Sequence, residues 1–408
     1  MRVAFVHPDL GIGGAERLVV DLAVALKGRG HEVVIYTGHY DPRRCFPATR
    51  GLDVRVRAKW LPRHLLGLGH IVFASLRHVV MSLCLLFASS EHFDVVVCDQ
   101  IATGVPILAM RYPVAFYVHF PDKLLASRGS VLRRIYRAPF DWLEERTTGA
   151  AHLLIANSKF TAETFRDAFP SLRRRDTTVL YPAVDMPPEK PPSLPKPDNK
   201  EKYVVSLNRY ERKKRVDLAI DAAKLLALAR ANNDELAVTL VVAGGYDERV
   251  LENVAYYDEL RARAHPASVV FERSVTDERR ADLVEGAVCL LYTPPKEHFG
   301  IVPLEAMALG TPVIAVNSGG PLETIVHGET GYLVEPTPTA FADAIARLLR
   351  DPSLQARLSD QCKHHVRRHF SRTAFADHIE SILTDLRRDK GGPRGGEADL
   401  DTTKKKGN

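Results

Sequence analysis

Two glutamates eight positions apart, Glu297 and Glu305, are the residues whose type and spacing most directly suggest chemistry in this chain of 408 residues. A pair of carboxylates can flank a glycosidic bond and cleave it. Pro303 lies between them and suits the first turn of a helix that continues through Leu304–Ala308. Glu297 would then lie in a loop and Glu305 early in a helix, which favours binding of a sugar and a ribose over acid–base hydrolysis. The alternative for Glu305 is a first-turn carboxylate that stabilises the helix dipole.

Other positions suit a bound phosphate. Gly13 and Gly14 follow an apolar run and open a predicted helix, where glycine lets the backbone approach a phosphate and the helix start offers amide donors. Arg209 and Lys214 follow a strand-like run and could grip a diphosphate, arginine through paired donors and lysine as a point charge. An ordinary turn and a solvated basic loop are the alternatives for these two segments. Further candidates are backbone amides beside the glutamates, those of Gly300, Ile301 and Val302.

The first half of the chain alternates strand-like apolar runs with helical patterns. Arg2–Val6 predicts a first buried strand rather than a signal peptide, because the run is short and a polar segment interrupts it. A helix is predicted over 15–27. Further strands are predicted over Glu32–Tyr36, Phe93–Cys98, Val114–His119 and His152–Ala156. Such alternation is typical of a parallel sheet with helices on both faces.

The pattern restarts after a proline-rich stretch over 186–200, whose prolines cannot donate to a sheet ladder and favour an extended linker. A helix is then predicted over Val216–Ala229. Strands are predicted over Tyr203–Leu207, Val238–Ala243, Val269–Phe271, Val288–Tyr292 and Pro312–Val316. A last helix is predicted over 372–388, and the Gly-, Asp- and Lys-rich tail over 389–408 is expected to be disordered.

These patterns predict an α/β protein of two Rossmann-like domains, whose parallel sheets face each other across an interdomain cleft. The predicted N-terminal domain covers 1–185, the linker 186–200 and the C-terminal domain 201–371, with the helix over 372–388 packing back on the N-terminal domain. A ligand between the domains would meet the loops at the carboxyl ends of both sets of strands.

The segment Leu61–Phe87 is more apolar than a soluble domain requires, and it is long enough to test as a transmembrane helix. Arg63, His70 and Arg77 recur every seven positions, so they would share one helical face. A narrow basic stripe beside a broad apolar face favours a helix lying in a membrane interface, with its cations at the lipid headgroups. The alternative is a hydrophobic hairpin packed on the first domain. Further candidates for headgroup contact, with a solvated helix face as the alternative, are Arg128, Arg133, Arg134 and Arg137.

The composition is that of a soluble globular protein, with 45% hydrophobic and 26% charged residues. The net charge of +6 is compatible with an anionic substrate, a membrane surface or nucleic acid. No nucleic-acid-binding module accompanies the charge, so no nucleic acid partner is expected. The five cysteines are scattered and unpaired in sequence, which favours a reducing compartment and argues against structural zinc. No Asp-x-Asp pair lies beside the predicted diphosphate pocket, and no metal site is predicted.

In their order and separations, these motifs resemble the retaining GT-B glycosyltransferases over nearly the whole chain. The elements that carry the resemblance are Gly13–Glu16, Arg209 with Lys214, Gly244-Gly245, the Glu297 and Glu305 pair, Gly319–Glu323 and Gly328–Gly331. The chain more narrowly resembles the Alg2-type α-1,3/1,6-mannosyltransferase family of the dolichol-linked oligosaccharide pathway. This narrower resemblance rests on His119–Asp122, Asn157–Thr161, Gly244–Val250 and Glu252–Val254.

The resemblance implies a family 4 retaining mannosyltransferase that uses GDP-mannose as donor and holds no tightly bound cofactor. Its acceptors would be Man1GlcNAc2-PP-dolichol and then Man2GlcNAc2-PP-dolichol, extended through α-1,3 and α-1,6 linkages in early N-glycan precursor synthesis. The implied location is the cytosolic face of the endoplasmic reticulum membrane. The implied partners are the dolichyl-diphosphate-linked oligosaccharide, the membrane surface and the other early mannosyltransferases of the pathway.

The same resemblance implies roles for single residues. Glu297 would contact the mannose hydroxyls, Glu305 the ribose hydroxyls, and Arg209 with Lys214 the departing diphosphate. His119 would touch the sugar or the phosphate, with a structural histidine at a strand end as the alternative. Retention without an obvious nucleophile implies front-face attack by the acceptor hydroxyl, with a phosphate oxygen taking its proton. The other implied contacts of the nucleotide sugar are Gly13, Gly14, Gly244, Phe299, Gly300, Ile301 and Val302.

Two other functions stay open. One is a GT-B enzyme with a different nucleotide sugar or a soluble acceptor, such as a glycogen- or sucrose-type synthase, against which the segment Leu61–Phe87 argues. The other is a non-catalytic nucleotide-binding scaffold on a membrane, which would tolerate loss of Glu297 or Lys214. Membrane flotation tests the first alternative, because a freely soluble chain would favour it. Turnover by variants that lack Glu297 or Lys214 tests the second, because a scaffold would tolerate these losses.

Overall fold

Alternating strands and helices form the first part of the chain in the computed structural model, which describes residues 1–62, 69–89, 91–125, 131–188, 202–230 and 236–391. The elements up to the proline-rich stretch are β1 (Arg2–His7), α1 (Gly14–Gly28), β2 (Glu32–Thr37), a 3-10 turn (Pro47–Gly51), β3 (Asp53–Val56), α2 (His70–Leu83) with a following π turn (Cys84–Ala88), β4 (Val95–Asp99), α3 (Val105–Leu108), β5 (Val114–Val118), α4 (Asp122–Leu125), α5 (Val131–Thr148), β6 (Leu153–Ala156), α6 (Lys159–Ala168), a 3-10 turn (Pro170–Leu172) and β7 (Thr177–Val179).

The alternation continues after that stretch. The elements are β8 (Tyr203–Leu207), a 3-10 turn (Arg212–Lys214), α7 (Val216–Arg230), β9 (Thr239–Gly244), α8 (Leu251–Arg263), β10 (Val269–Arg273), α9 (Asp277–Glu285), β11 (Leu290–Tyr292), α10 (Ile301–Leu309), β12 (Val313–Val316), α11 (Pro321–Thr324), β13 (Gly331–Val334), α12 (Pro338–Arg350), α13 (Pro352–His369) and α14 (Arg372–Gly391).

The strands form two sheets. The first has seven strands in the order β3-β2-β1-β4-β5-β6-β7, and the second has six in the order β10-β9-β8-β11-β12-β13. β1 pairs in parallel with β2 on one side and β4 on the other, and β8 does the same with β9 and β11. The inner strands are buried along almost their whole length, as expected of parallel strands covered by helices on both faces. The predicted α/β class with two parallel sheets is confirmed.

Three strands were not expected from the sequence, namely β3, β7 and β13. All three are edge strands of their sheets. β3 alternates charged Asp53 and Arg55 with valines and is half exposed, and β7 has only three half-buried residues. Short edge strands tolerate polar side chains, so β3 and β7 lack the continuous apolar run by which the inner strands are recognised. β13 is apolar, and this reason does not explain why it was missed.

The chain divides into two compact units. Unit 1 comprises Met1–Tyr117, Arg128–Ile155 and His378–Asn408, and unit 2 comprises Val118–Ser127 and Ala156–Asp377. Within unit 1, the terminal helix α14 is held by Glu380, which accepts a hydrogen bond from His31 at 2.9 Å. The predicted domain boundaries stay predictions, and residues 189–200 of the linker and 392–408 of the tail lie outside the described residues.

Helix α2 and its π turn contain most of the apolar segment noted in the sequence. Among the described residues, His70–Ala88 is the one helix that is long and apolar enough to cross a membrane, judged by length and composition alone. The exposed side of this helix carries Val72, Leu76, Leu83 and Phe87. Its outer face is therefore apolar along several turns.

Arg77 corrects the prediction of a basic stripe at the lipid headgroups. Its side chain is buried, and its guanidinium donates to both carboxylate oxygens of Asp9, at 2.6 and 3.2 Å. His70 is exposed, but α2 begins there, and Arg63 lies outside the described residues. The prediction was wrong for Arg77 because its counter-charge comes from the loop after β1, which the seven-residue spacing does not reveal.

Candidate functional site

The carboxyl ends of β9, β8, β11 and β12 lie side by side along one end of the second sheet, and this row of strand ends is the edge meant below. The loops that follow these parallel strands carry most of the predicted donor-site residues of unit 2. Ligands of such sheets bind at this edge, because the loops converge there and the helix starts point toward it.

Lys214 and Glu297 are bonded to each other at this edge. The ammonium of Lys214 donates a hydrogen bond to Oε2 of Glu297, and the side chains are only 13% and 24% exposed. The hydroxyl of Thr293 donates to the carbonyl oxygen of Lys214 at 2.7 Å. This contact joins the turn that carries Lys214 to the end of β11 and so helps to fix the position of the cation.

The protonation of Glu297 follows from its neighbours. Burial raises its pKa, but the hydrogen bond and the charge of Lys214 outweigh burial and hold the pKa below its ordinary value. Tyr292 bonds the same carboxylate, and burial together with the charge of Glu297 raises the pKa of Tyr292 well above its ordinary value. Glu297 is therefore ionised near neutral pH. It offers acceptors for hydroxyl groups and is not suited to act as an acid.

Helix α10 begins directly after the Glu297 loop, with Gly300 as its N-cap. The first amides of a helix have no acceptor within the helix, and they carry the positive end of its dipole. The amides of Ile301 and Val302 therefore suit phosphate oxygens, and their predicted contact with a phosphate stays a prediction. Phe299 is buried beside them.

Glu305 lies one turn further along α10. It is the fifth residue of the helix that begins at Ile301, so the predicted placement early in a helix is confirmed, and the alternative of a first-turn carboxylate does not hold. Its carboxylate pairs with Arg280 of α9 at 3.2 Å, and both side chains are partly exposed. The pair leaves Glu305 within reach of a ligand and gives it a cationic neighbour.

Arg209 lies in the loop after β8, and Gly244 is the last residue of β9, where the next loop begins. Arg209 is largely exposed and pairs with Glu211 at 2.7 Å. A Cβ on Gly244 would come within 1.9 Å of the carbonyl oxygen of Asn208, so only glycine lets these two loops approach so closely. The close approach places the backbone of both loops at the same strand edge as Arg209.

His119 follows the end of β5 and belongs to unit 2 together with the donor-site residues. Its carbonyl oxygen accepts a hydrogen bond from the side chain of Asn157 at 3.3 Å. The next residue, Phe120, stacks on the ring of His298 with centroids 3.8 Å apart and 14° between planes. His119 and Glu297 are thus each one residue away from a member of this stacked pair.

The remaining predicted site residues belong to unit 1 or lie outside the residues that the structure describes. Gly13 is the N-cap of α1, which starts at Gly14, so the predicted strand, glycine turn and helix are all present. Arg133 and Arg134 lie on α5, and their side chains are outside the described part of the chain. The same holds for all of Arg63 and Arg128. The roles given to these residues stay predictions.

Three residues at the site were given no role from the sequence: Tyr292, His298 and Glu323. Tyr292 ends an apolar strand and looked like a core residue. His298 is the neighbour of Glu297 and is half-buried, and burial lowers its pKa further than the charge of Glu297 raises it. An imidazole adjacent to a candidate carboxylate was the available clue to His298. Glu323 ends the Gly319–Glu323 motif that supports the family resemblance, but no spacing rule predicts its contacts, because its partners are more than 140 residues away.

The chain matches two family models of glycosyltransferases. Residues 12–186 match Glycosyltransferase Family 4, and residues 189–365 match Glycosyl transferases group 1. Over 94% of its length the chain resembles two solved proteins in fold. One is the sucrose-phosphate synthase of Thermosynechococcus elongatus, with a TM-score of 0.67, 21% sequence identity and 98% of that chain covered. The other is the galactosyltransferase WaaB of the lipopolysaccharide outer core, with a TM-score of 0.68, 17% sequence identity and 99% of that chain covered. Two parallel sheets with this site at a strand edge define a GT-B glycosyltransferase.

Relatives of higher identity narrow the assignment. The α-1,3/1,6-mannosyltransferase ALG2 of Homo sapiens is 48% identical over 399 residues, covering 94% of this chain and 96% of the relative. The protein of the same name from Saccharomyces cerevisiae is 39% identical and covers 93% of this chain and 85% of the relative. The chain belongs to the ALG2 family of α-1,3/1,6-mannosyltransferases. The predicted family and the predicted glycosyltransferase class are confirmed.

Proposed function

We propose that this enzyme transfers mannose from GDP-mannose to Man1GlcNAc2-PP-dolichol and then to Man2GlcNAc2-PP-dolichol, forming an α-1,3 and an α-1,6 linkage. The names of its relatives support both linkages. The observation that carries the proposal is the Lys214–Glu297 pair directly before the start of α10. It sets a cation, a sugar-hydroxyl acceptor and free amides beside one another, which are the groups a sugar diphosphate requires.

The donor half of the proposal assigns each part of GDP-mannose to a group at this edge. The diphosphate takes Lys214, Arg209 and the first amides of α10. The mannose hydroxyls take Glu297, and the ribose hydroxyls take Glu305. Negative charge grows on the diphosphate as it departs, so cations and amides already in place stabilise the transition state more than the ground state.

Retention of configuration is proposed to follow front-face attack. The acceptor hydroxyl approaches on the side from which the diphosphate leaves and forms the new C1–O bond as the old one breaks. Its proton passes to a phosphate oxygen of the departing GDP. Glu297 is held ionised by Lys214 and binds the sugar throughout. The step needs no protein nucleophile and no resident cofactor, and no metal ion is invoked for it.

A membrane location is proposed from the lipid-linked acceptor and from helix α2. The exposed, apolar outer face of α2 fits the hydrocarbon side of a lipid interface. We place the enzyme at the cytosolic face of the endoplasmic reticulum membrane, where GDP-mannose and the dolichyl-diphosphate oligosaccharide meet. Other early mannosyltransferases of the pathway are proposed as protein partners.

The test is transfer by the purified full chain in liposomes that contain Man1GlcNAc2-PP with a polyprenyl-type lipid. GDP-mannose is compared with UDP-glucose, UDP-N-acetylglucosamine and GDP-glucose at equal concentration. We expect two sequential mannose additions from GDP-mannose, resolved by digestion with linkage-specific mannosidases. Preferred use of a UDP-sugar, or transfer to a water-soluble acceptor alone, would instead support the alternative of a different GT-B activity.

A further inference from the structure

A carboxylate outside the predicted site joins two distant parts of unit 2. Glu323, on the short helix α11, accepts hydrogen bonds from the backbone amides of Lys159 at 2.7 Å and Phe160 at 2.8 Å, at the start of α6. The hydroxyl of Tyr181 donates a third hydrogen bond to it at 3.0 Å. Hydrogen bonds from helix-start amides to an ionised carboxylate are stronger than neutral ones, so this junction is firmly held.

The backbone before α11 lies against the loop that carries Glu297. Gly320 donates its amide to the carbonyl oxygen of Glu297 at 2.7 Å. A Cβ on Gly320 would come within 2.2 Å of the carbonyl oxygen of Phe299, so this approach requires glycine. Because Glu323 lies three residues further on, whatever fixes Glu323 also fixes this loop.

The start of α6 holds the same loop directly. Ser158 is fully buried, accepts a hydrogen bond from the amide of Thr161 at 3.0 Å as N-cap, and donates its hydroxyl to the carbonyl oxygen of His298 at 2.6 Å. The ring of Tyr181 stacks on that of Phe299, with centroids 5.8 Å apart. The loop is therefore held by α6 through Ser158 and by the backbone before α11 through Gly320, and Glu323 bonds α11 to the start of α6.

We propose that Glu323 is a positioning residue for the sugar-binding loop, acting through the start of α6 without touching the substrate. The inference rests on the proposed function, because that function gives the mannose hydroxyls to Glu297. The diphosphate is assigned to Lys214, Arg209 and the start of α10, which Glu323 does not contact in the described structure. Loss of Glu323 therefore impairs recognition and transfer of the sugar more than binding of the nucleotide.

The first test compares GDP and GDP-mannose in the full-length enzyme carrying Glu323→Ala, Glu323→Gln or Tyr181→Phe. Glu323→Ala is expected to lower kcat/KM for GDP-mannose by about a hundredfold, since it removes three hydrogen bonds to a carboxylate that holds the sugar-binding loop. Glu323→Gln keeps one acceptor oxygen and is expected to lose about tenfold, and Tyr181→Phe less. The Kd of GDP is expected to change by less than about threefold in all of them. Glu335→Ala removes an exposed carboxylate of the same unit and is the matched control.

The second test measures the position of the loop without any substrate. Hydrogen–deuterium exchange of the ligand-free enzyme is followed in peptides covering 296–304 and 157–163. We expect faster exchange in both peptides for Glu323→Ala and parent-like exchange for Glu335→Ala. Parent-like exchange in Glu323→Ala overturns the proposal. So does an equal loss of GDP and GDP-mannose affinity, which would mean a general structural role.

Failure of the proposed function would look different from failure of this inference. The parent enzyme would then not transfer mannose from GDP-mannose at all, and the exchange experiment would still report whether Glu323 holds the loop. An active parent with an equally active Glu323→Ala variant would reject the positioning role alone.

Discussion

The ammonium of Lys214 and the carboxylate of Glu297 are hydrogen-bonded to each other across 83 residues of sequence, and this contact joins the loop after β8 to the loop after β11. A diphosphate sugar would meet both partners at once, because each group is complementary to a different part of it. The cation suits the diphosphate and the anion suits the sugar hydroxyls. The pair therefore keeps the carboxylate of Glu297 ionised and holds both side chains in place before the donor arrives.

Lys214→Ala is expected to lower kcat by about a hundredfold to a thousandfold, since removal of one preorganised charge-stabilising donor has effects of this size. The thermal midpoint should fall only modestly, because the side chain retains contact with water and Glu297 can be rehydrated. Turnover with GDP-mannose and lipid-linked acceptor is the measurement. Lys213→Ala, at a neighbouring lysine that is 69% exposed, is the control and should keep near-parent activity. Normal turnover in Lys214→Ala would remove this residue from the mechanism.

Glu305→Ala is expected to raise KM for GDP-mannose by about tenfold with little change in kcat, because a carboxylate accepting hydroxyl hydrogen bonds contributes about 1.5–3 kcal/mol of binding. A donor with a 2′,3′-dideoxyribose provides the control. It lacks the hydroxyls, so parent and variant should bind it equally well. If Glu305→Ala weakens the dideoxy donor as strongly as GDP-mannose, the ribose assignment is wrong and Glu305 serves the helix or its pair with Arg280.

The inner strands and the donor loops could be predicted because their residues obey local rules. Tyr203–Leu207 was predicted at its observed bounds, since a continuous apolar run before a polar loop is typical of a buried parallel strand. Lys214, Glu297 and the start of α10 could be placed at the carboxyl ends of one sheet, because strand ends and helix starts are where parallel sheets bind anions, and their roles as ligand groups stay predictions.

The partners of Arg77 and Glu323 could not be predicted from the sequence, because these contacts are long-range. Asp9 neutralises Arg77 inside unit 1, and Glu323 meets the start of α6, in each case across 68 residues or more. Neither partner has a spacing that distinguishes it from a surface charge.

Replacing Leu76 and Phe87 by glutamate is expected to reduce binding of the enzyme to liposomes at least tenfold, because both side chains are exposed, at 46% and 76%, on the apolar face of α2. Flotation with neutral and anionic liposomes is the measurement, with transfer to a short-chain soluble acceptor as the test of folding. Leu228→Glu, at a residue of unit 2 that is 73% exposed, is the matched control. Undiminished flotation of the double variant would show that another surface contacts the lipid.

Arg77→Met is expected to destabilise the protein by about 2–4 kcal/mol, because it removes a buried partner and leaves the Asp9 carboxylate without that cation. Asp9→Asn alone should destabilise at least as much, since it leaves the guanidinium buried without its carboxylate. The double variant is expected to recover much of the loss, which a urea-unfolding double-mutant cycle measures. Additive losses would show that the two side chains are stabilised independently of each other.

His78 is expected to make unfolding sensitive to acid. It is fully buried in α2, and its pKa is lowered from 6.5 to about 4. Burial is the largest cause, the charge of Asp99 opposes it by raising the pKa, and His7 lowers the pKa further. Below pH 6.5 the unfolded chain therefore takes up a proton that the folded chain refuses. Stability attributable to His78 is fully present above pH 6.5 and declines by about 3 kcal/mol as the pH falls to about 4.

His7 acts in the opposite direction and must be separated from this effect. Burial lowers the pKa of His7, but Asp99 at 2.7 Å outweighs burial, and the pKa in the folded protein is raised. The stability that His7 contributes is therefore present below the pKa of the unfolded state and is lost as the pH rises through the pKa of the folded state. The measurement is the urea-unfolding free energy of the parent and of His78→Asn from pH 4 to 7. Asparagine retains an acceptor for the amide of Gly104, which His78 accepts at 2.8 Å, but it does not titrate. The parent should therefore lose more stability than His78→Asn between pH 6.5 and 4, and identical slopes would show that His78 is protonated in the folded protein at an ordinary pKa.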